Sequence, residues 1–163
     1  EEHIGLPIHW RLKMKILFLD VDGVLNNMPG SWDKQPDNGT FVIDQDNVQW
    51  LNKIIGNCNP TIVMSSTWAM FDDHMEYLLQ QVPQIKPRLH KNWRTPRKLT
   101  STRGQEIGMW MADNAGTFKS WCVVDDAIDH WLDHHHTNVV RTLIHRGLTE
   151  PLADRAIEIL GSK

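Results

Sequence analysis

Four consecutive apolar residues, Ile16 to Leu19, run without a break into Asp20-Val21-Asp22-Gly23. A strand that is apolar at every position, rather than at every second one, is buried on both faces. Such a strand belongs in the middle of a parallel sheet with helices on either side. Two carboxylates at its carboxyl end lie on the edge where open α/β sheets bind their ligands. The remaining pattern agrees. Apolar spacing predicts helices over Asp46 to Ile55 (N-cap Asp44 or Asp46), Trp68 to Gln81, Gly104 to Ala112, Ala127 to His134 and Pro151 to Leu160, the last with Thr149 as N-cap. Short apolar runs predict strands over Thr61 to Met64, Gln84 to Leu89, Trp121 to Val124 and Val139 to Ile144. Asn26 to Gly39, full of turn formers, reads as a loop or small flap. Strands and helices that alternate in this way predict an α/β fold, a three-layer Rossmann-like parallel sheet flanked by helices.

The 163 residues suffice for one domain with its own core. Residues 1–13 show no period and read as an N-terminal extension, leaving 14–163 as the single domain. No apolar run reaches membrane-spanning length, and no basic start leads into a secretory apolar stretch. Cys58 and Cys122 have no metal-ligand spacing and read as reduced thiols of a cytoplasmic protein, with a single buried disulfide as the alternative. Charge is unevenly distributed. Seven of the 17 basic residues (Lys86, Arg88, Lys91, Arg94, Arg97, Lys98 and Arg103) fall in one segment that holds none of the 20 acidic ones. An acidic body with one basic segment points to a local anion site, against the plainer alternative of a solvated loop. His134-His135-His136 cannot all point one way and read as solvated rather than metal-binding.

Three predicted strands end in polar residues of related chemistry: Asp20 and Asp22, then Ser65-Ser66-Thr67, then Asp125-Asp126. In a parallel sheet these ends share one edge, so the side chains converge. Four carboxylates in one cleft repel each other unless a cation joins them. All-oxygen donors with room for water and phosphate favour Mg²⁺. An EF-hand loop does not fit, because position 6 from Asp20 is Leu25 and position 12 is Ser31. The Ser65 hydroxyl and the amides after it form a candidate phosphate cradle, with Ser66 as a second contact. For Ser66 or Thr67 an ordinary helix cap is the competing reading, as it is for one of Asp125 and Asp126. A cation is still needed to balance the carboxylates and hold a phosphoryl group, and Arg103, or else Lys98, is placed to supply it.

In this order the residues resemble the haloacid dehalogenase (HAD-like) phosphohydrolase superfamily. "FLDVDGVL" resembles its first motif, "IVMS" (Ile62 to Ser65) its second, and "WCVVDD" (Trp121 to Asp126) its fourth. "RGQEIGMW", opening on Arg103, fits the third. The "SSTW" after the second strand, "RGQEI" and "RGLTEPLADRAIEIL" are similar to small HAD-like domains of RNA-repair and phage proteins and to the phosphatase domain of polynucleotide kinase–phosphatase. Val24 departs from the threonine that many of these phosphatases carry. The resemblance implies a Mg²⁺-dependent phosphatase in which Asp20 is the nucleophile and Asp22 the acid and base. It further implies that Asp20, the Asp22 backbone carbonyl and Asp125 hold the metal, with Asp126 directly or through water, and that Ser65 and Arg103 hold the phosphoryl oxygens.

Neither gap between motifs has room for a large cap domain. An open site suits a phosphate on a bulky substrate: a polynucleotide end, a nucleotide or another monoester. Lys91, Trp93, Arg94 and Arg97, in the basic segment, form the candidate rim for such a substrate, with Trp93 as a base-stacking candidate. No membrane partner is implied, and a monomer satisfies the pattern. The alternative reading is a catalytically idle HAD-like domain that binds nucleic acid or a partner protein. The complete aspartate set favours the enzyme, since a binding module has no need for Asp22.

Overall fold

The computed structural model describes residues 13–28 and 42–163. The extension before Lys13 and most of the predicted flap lie outside the described residues. Among the described residues, the parallel sheet has five strands: β1 (Met14–Leu19), β2 (Thr61–Met64), β3 (Leu89–Arg94), β4 (Phe118–Asp125) and β5 (Val139–Arg141), in the spatial order β3-β2-β1-β4-β5. The α-helices are α1 (Gln45–Cys58), α2 (Asp72–Gln81), α3 (Arg103–Asp113), α4 (His130–His134) and α5 (Glu150–Leu160). No helix among these residues is long and apolar enough to cross a membrane.

The unbroken apolar run of β1 is explained by the two cores it divides. Leu17 and Leu19 point into one, with Val48 and Leu51 of α1, Met75 and Leu78 of α2, and Ala153 and Ala156 of α5. Ile16 and Phe18 point into the other, with Ile107 and Trp110 of α3 and Leu132 of α4. Successive side chains of a strand face opposite ways, so both sets are apolar only because both faces are covered. Cys58 and Cys122 are free and buried within the first core.

Four predicted elements change at their ends, each for a local reason. The helix expected from Trp68 to Gln81 is two pieces, a 3₁₀ turn over Thr67–Met70 and then α2. Phe71 between them is extended (φ −127°, ψ 120°), and Ser66 caps the turn by accepting from the Trp68 N–H at 3.1 Å. The strand expected from Gln84 to Leu89 is instead a 3₁₀ turn, Pro83–Arg88, and β3 begins where that turn ends. Pro83 and Pro87 have no N–H to give a ladder. The helix expected from Ala127 begins only at His130, because Asp129 is its N-cap. The last strand stops at Arg141 rather than Ile144, and Leu143 pairs with Gly147 in an isolated antiparallel bridge.

Phe18 is fully buried and meets Trp110 and Trp121 edge to face, with ring centroids 5.3 and 6.4 Å away. Phe18→Ala is expected to cost about 3–5 kcal/mol, measured as a lowered urea midpoint. A loss under about 1 kcal/mol would mean that the second core is not packed around this ring.

Candidate active site

Register brings the strand ends level. Leu19 pairs with Met64 on one side and Val124 on the other. The ladder continues one residue beyond: the Asp20 N–H donates to the Val124 carbonyl at 3.1 Å, and the Ser65 N–H to the Leu19 carbonyl at 3.0 Å. Asp20, Ser65 and Asp125 therefore emerge side by side, and all three are buried. Beyond Asp20 the chain coils, with the Val24 and Leu25 N–H groups donating to the Val21 carbonyl. Gly23 sits at φ +75°, and a Cβ there would run into the Asp126 carboxylate. Only glycine permits both the turn and that approach.

The carboxylates of Asp20, Asp125 and Asp126 each bring an oxygen to within 4.8 Å of the others. Arg103, the first residue of α3, faces them. Its guanidinium lies 3.1 Å from Asp20 Oδ1 and 2.7 Å from Asp125 Oδ2. Burial works against the Arg103 charge, but the two carboxylates outweigh it and hold the group firmly protonated. One cation against three carboxylates leaves negative charge uncompensated. Burial, with the charge of Asp20 added, holds the Asp125 carboxyl well above the usual range, although Arg103 opposes this. The same two causes push Asp126 up to about 6. A hard divalent cation fits this donor set, which is all oxygen, buried at Asp20 and Asp125 and partly so at Asp126, and short of positive charge. Asp20, Asp125 and Asp126 are the side chains that would hold it.

Asp22 stands apart from this cluster. Its carboxylate accepts from Asn26 Nδ2 at 2.9 Å and from Trp68 Nε1 at 3.0 Å. Its side-chain oxygens are engaged elsewhere and the three-carboxylate group forms without them, so toward a metal Asp22 offers its backbone carbonyl, the atom the resemblance implies, rather than its carboxylate. Asn26 also accepts from the Gly23 N–H at 2.9 Å, tying the turn to the carboxylate it orients. The Ser65 hydroxyl is 2% exposed as a residue and has no hydrogen-bond partner. An orphaned hydroxyl beside a carboxylate cluster and a buried arginine is matched to an incoming oxyanion. Ser66 is occupied as a cap.

The basic segment is dispersed. Lys98 is exposed and lines a cleft with Met109 and Trp131 on the outer side of α3, so of the two candidate cations Arg103 is the one that meets the carboxylates. Lys91 is a correction to the predicted rim. It lines a cleft with Met14 and Thr61 at the amino ends of β1 and β2, the opposite edge of the sheet. Trp93 packs partly buried against the first core and carries the Arg94 guanidinium 5.4 Å above its ring. Arg94 also donates to the Ala69 carbonyl at 3.2 Å, and Arg97 pairs with buried Glu106 at 3.4 Å. Of the three histidines, His135 stacks on Trp131 with centroids 3.8 Å apart, and none belongs to a metal-ligand cluster among the described residues.

Three contributors escape a sequence reading. Trp68 and Asn26 orient Asp22, and only the i, i+4 spacing of Asn26 from Asp22 was a local signal. Asp129 is the third. One oxygen accepts from the Gly104 N–H at 2.9 Å, the other from Trp131 N at 2.8 Å and Leu132 N at 3.2 Å, so it fastens the starts of α3 and α4 together. Although burial disfavours its charge, these N–H bonds hold the Asp129 carboxyl below its ordinary value. Thr102 and Gln105 complete a capping box at the start of α3, which fixes where Arg103 leaves the helix.

Residues 16–153 match the protein family described as the HAD domain in Swiss Army Knife RNA repair proteins. No curated protein and no solved structure matches the chain.

In the absence of divalent cations, stability is expected to fall as pH rises from about 4 to about 6. The folded protein keeps protons on Asp125 and Asp126 that the unfolded chain, near the ordinary 3.8, has already released. Added Mg²⁺ should flatten the fall, and Asp126→Asn should remove part of it. Urea midpoints in EDTA and in Mg²⁺ across this range test the point; identical slopes in the two would count against a cation at the cluster.

Proposed function

The chain belongs to the family of HAD domains in Swiss Army Knife RNA repair proteins, and from that premise we propose that it is a Mg²⁺-dependent phosphatase acting on a phosphate monoester at a polynucleotide end or on a nucleotide. The observation that carries this reading is the company kept by Asp20. It lies among Asp125, Asp126 and Arg103, with the unpartnered Ser65 hydroxyl on the neighbouring strand end. The second carboxylate, Asp22, is held out of that cluster by two donors of its own. A site that only bound a cation would have no use for the separately positioned Asp22.

In this reading the phosphoryl group sits against Ser65 and Arg103. An Asp20 oxygen attacks phosphorus, the bond from phosphorus to the ester oxygen breaks, and Asp22 gives that oxygen a proton. Asp22 then takes a proton from water, the water oxygen attacks the aspartyl-phosphate at phosphorus, and inorganic phosphate leaves with Asp20 regenerated. Bound Mg²⁺ would offset the carboxylate charge and draw electron density from the phosphoryl oxygens. Asn26 and Trp68 keep Asp22 on the leaving-group side and stop it from joining the metal cluster.

Asp20→Asn is expected to lower aryl phosphate hydrolysis by about 10³-fold or more while the fold stays intact, because nucleophile and metal ligand are lost together. A variant that kept more than a few per cent of the rate would remove Asp20 from the nucleophile's place. A wild-type protein inactive with Mg²⁺ on aryl phosphate and on 3′- and 5′-phosphorylated RNA and DNA, yet retaining oligonucleotide, would establish the idle binding domain instead. Trp68→Phe keeps an aromatic ring, though a smaller one, and removes the donor to Asp22. Its kcat is expected to fall about tenfold or more on an alkyl phosphate, whose leaving oxygen needs the proton, and much less on 4-nitrophenyl phosphate, whose leaving oxygen does not. Equal losses on the two esters would separate Trp68 from proton transfer.

A further inference from the structure

The substrate's other half also needs a place, and the basic segment does not supply one. Beside Arg103 lies a cavity of about 700 Å³ between the start of α3 and α4. It adjoins the phosphoryl site directly. Arg103 lines it while bonding Asp20 and Asp125, and Ala127, two residues beyond Asp125, lines it from the other side. Arg103 is thus common to the phosphoryl site and to this space.

The charge of the cavity argues against a second phosphate. Its two charged lining residues are Arg103 and Asp129. Arg103 is committed to the carboxylate cluster, and Asp129 to the N–H groups of Gly104, Trp131 and Leu132. What remains suits a neutral, flat group. His130 and His134 lie one helical turn apart on α4 and both line the cavity. Trp131 between them is braced by its stack on His135. Ile128 stands at the lip 78% exposed, a large apolar side chain left in water. Gln105, whose side-chain oxygen accepts from the Thr102 N–H, brings an amide to the same wall. The exposed imidazoles, backed by a Trp131 indole packed against His135, Gly104 and Gly108, form with an apolar edge and an amide the kind of surroundings in which unstacked bases bind. The volume is in the range of pockets that enclose one small molecule, roughly 300–1,000 Å³.

We infer that this cavity receives the nucleobase of the nucleotide whose phosphate is hydrolysed, so that the protein recognises one terminal nucleoside by stacking rather than a run of backbone phosphates by charge. The inference rests on the phosphatase reading and names the part of the substrate that the phosphoryl site leaves unread. It replaces the basic rim: Lys91 is on the far edge of the sheet, and Arg94 and Arg97 are engaged with Ala69 and Glu106.

Two measurements test it, one of them independent of turnover. In the first, kcat/KM is compared for a nucleoside monophosphate and for acetyl phosphate, which has no ring. In Ile128→Asp and in His134→Ala the ratio of the two is expected to fall about tenfold or more, the size of one lost base stack. Both side chains are exposed, so the variants should fold. In the second, adenosine and cytidine, which carry no phosphate, are added to the wild-type protein at millimolar concentration. The imidazole proton signals of His130 and His134, assigned with His130→Ala and His134→Ala, are expected to shift while that of His145 does not. An unchanged ratio in both variants, or histidine signals indifferent to nucleoside, would overturn the inference. So would a ratio that falls only in Arg94→Ala and Arg97→Ala, with the salt dependence of a backbone track. Shifted histidine signals in a protein that turns over neither phosphate would overturn the phosphatase reading and leave the nucleoside site standing.

Discussion

The pairing of β1 with β2 and β4 is the constraint from which the site follows. Leu19 stands level with both Met64 and Val124, and the hydrogen bonds run one residue further on each side. That single register places the Asp20 carboxylate, the Ser65 hydroxyl and the Asp125 carboxylate in one row. It is held by the two cores, since a slip of one residue would send Leu17 and Leu19 toward α3 and α4 and turn Ile16 and Phe18 the other way. Packing that has nothing to do with chemistry thereby fixes the chemistry within the spacing of adjacent strands.

The same register forces together groups that repel. Asp20, Asp125 and Asp126 share one small volume with a single arginine, and protons are retained on Asp125 and Asp126 above their ordinary range. An assembly like this opposes folding and is kept because the apolar sheet holds it. Arg103 lessens the conflict, and its own position is determined at a distance from the carboxylates. The Thr102–Gln105 capping box starts α3, and Asp129 ties that start to α4. Gly104 allows the closeness, since a Cβ there would meet the Asp129 carboxylate and the Trp131 side chain. Arg103 and the wall of the neighbouring cavity are thus built from one contact between two helix starts.

The division of labour along the sheet edge follows from this. Strand ends carry the groups that must be aligned with each other to a fraction of an ångström, because ladders are rigid. The starts of α3 and α4 carry the side chains that line the neighbouring cavity. Asp22 belongs to neither set. It lies in the turn after β1 and takes its orientation from Asn26 in the same turn and from Trp68 across the cleft.

Much of this was legible in the order of residues. The apolar run into Asp20 specified a central, doubly covered strand, and with the strand ends at Ser65 and Asp125 it specified the row of polar groups. Periodicity specified α1 and α5 nearly to their ends, because each buries one stripe whatever its neighbours. Ends governed by single side chains were less legible: Asp129 rather than Asp125 or Asp126 caps α4, and two prolines push β3 to start at Leu89. Local sequence contains no account of what a side chain meets across the cleft. The separation of the Asp22 carboxylate from the other three depends on Trp68, 46 residues away. The scattering of the basic segment is of the same kind. Seven positive charges in one segment of the sequence look like one surface, but β3 runs from one edge of the sheet to the other. It therefore leaves Lys91 at the amino end, while Arg94 is level with Met64 near the carboxyl end. Composition could establish that the charges were neighbours in the chain; only the direction of a strand decided that they would not be neighbours in space.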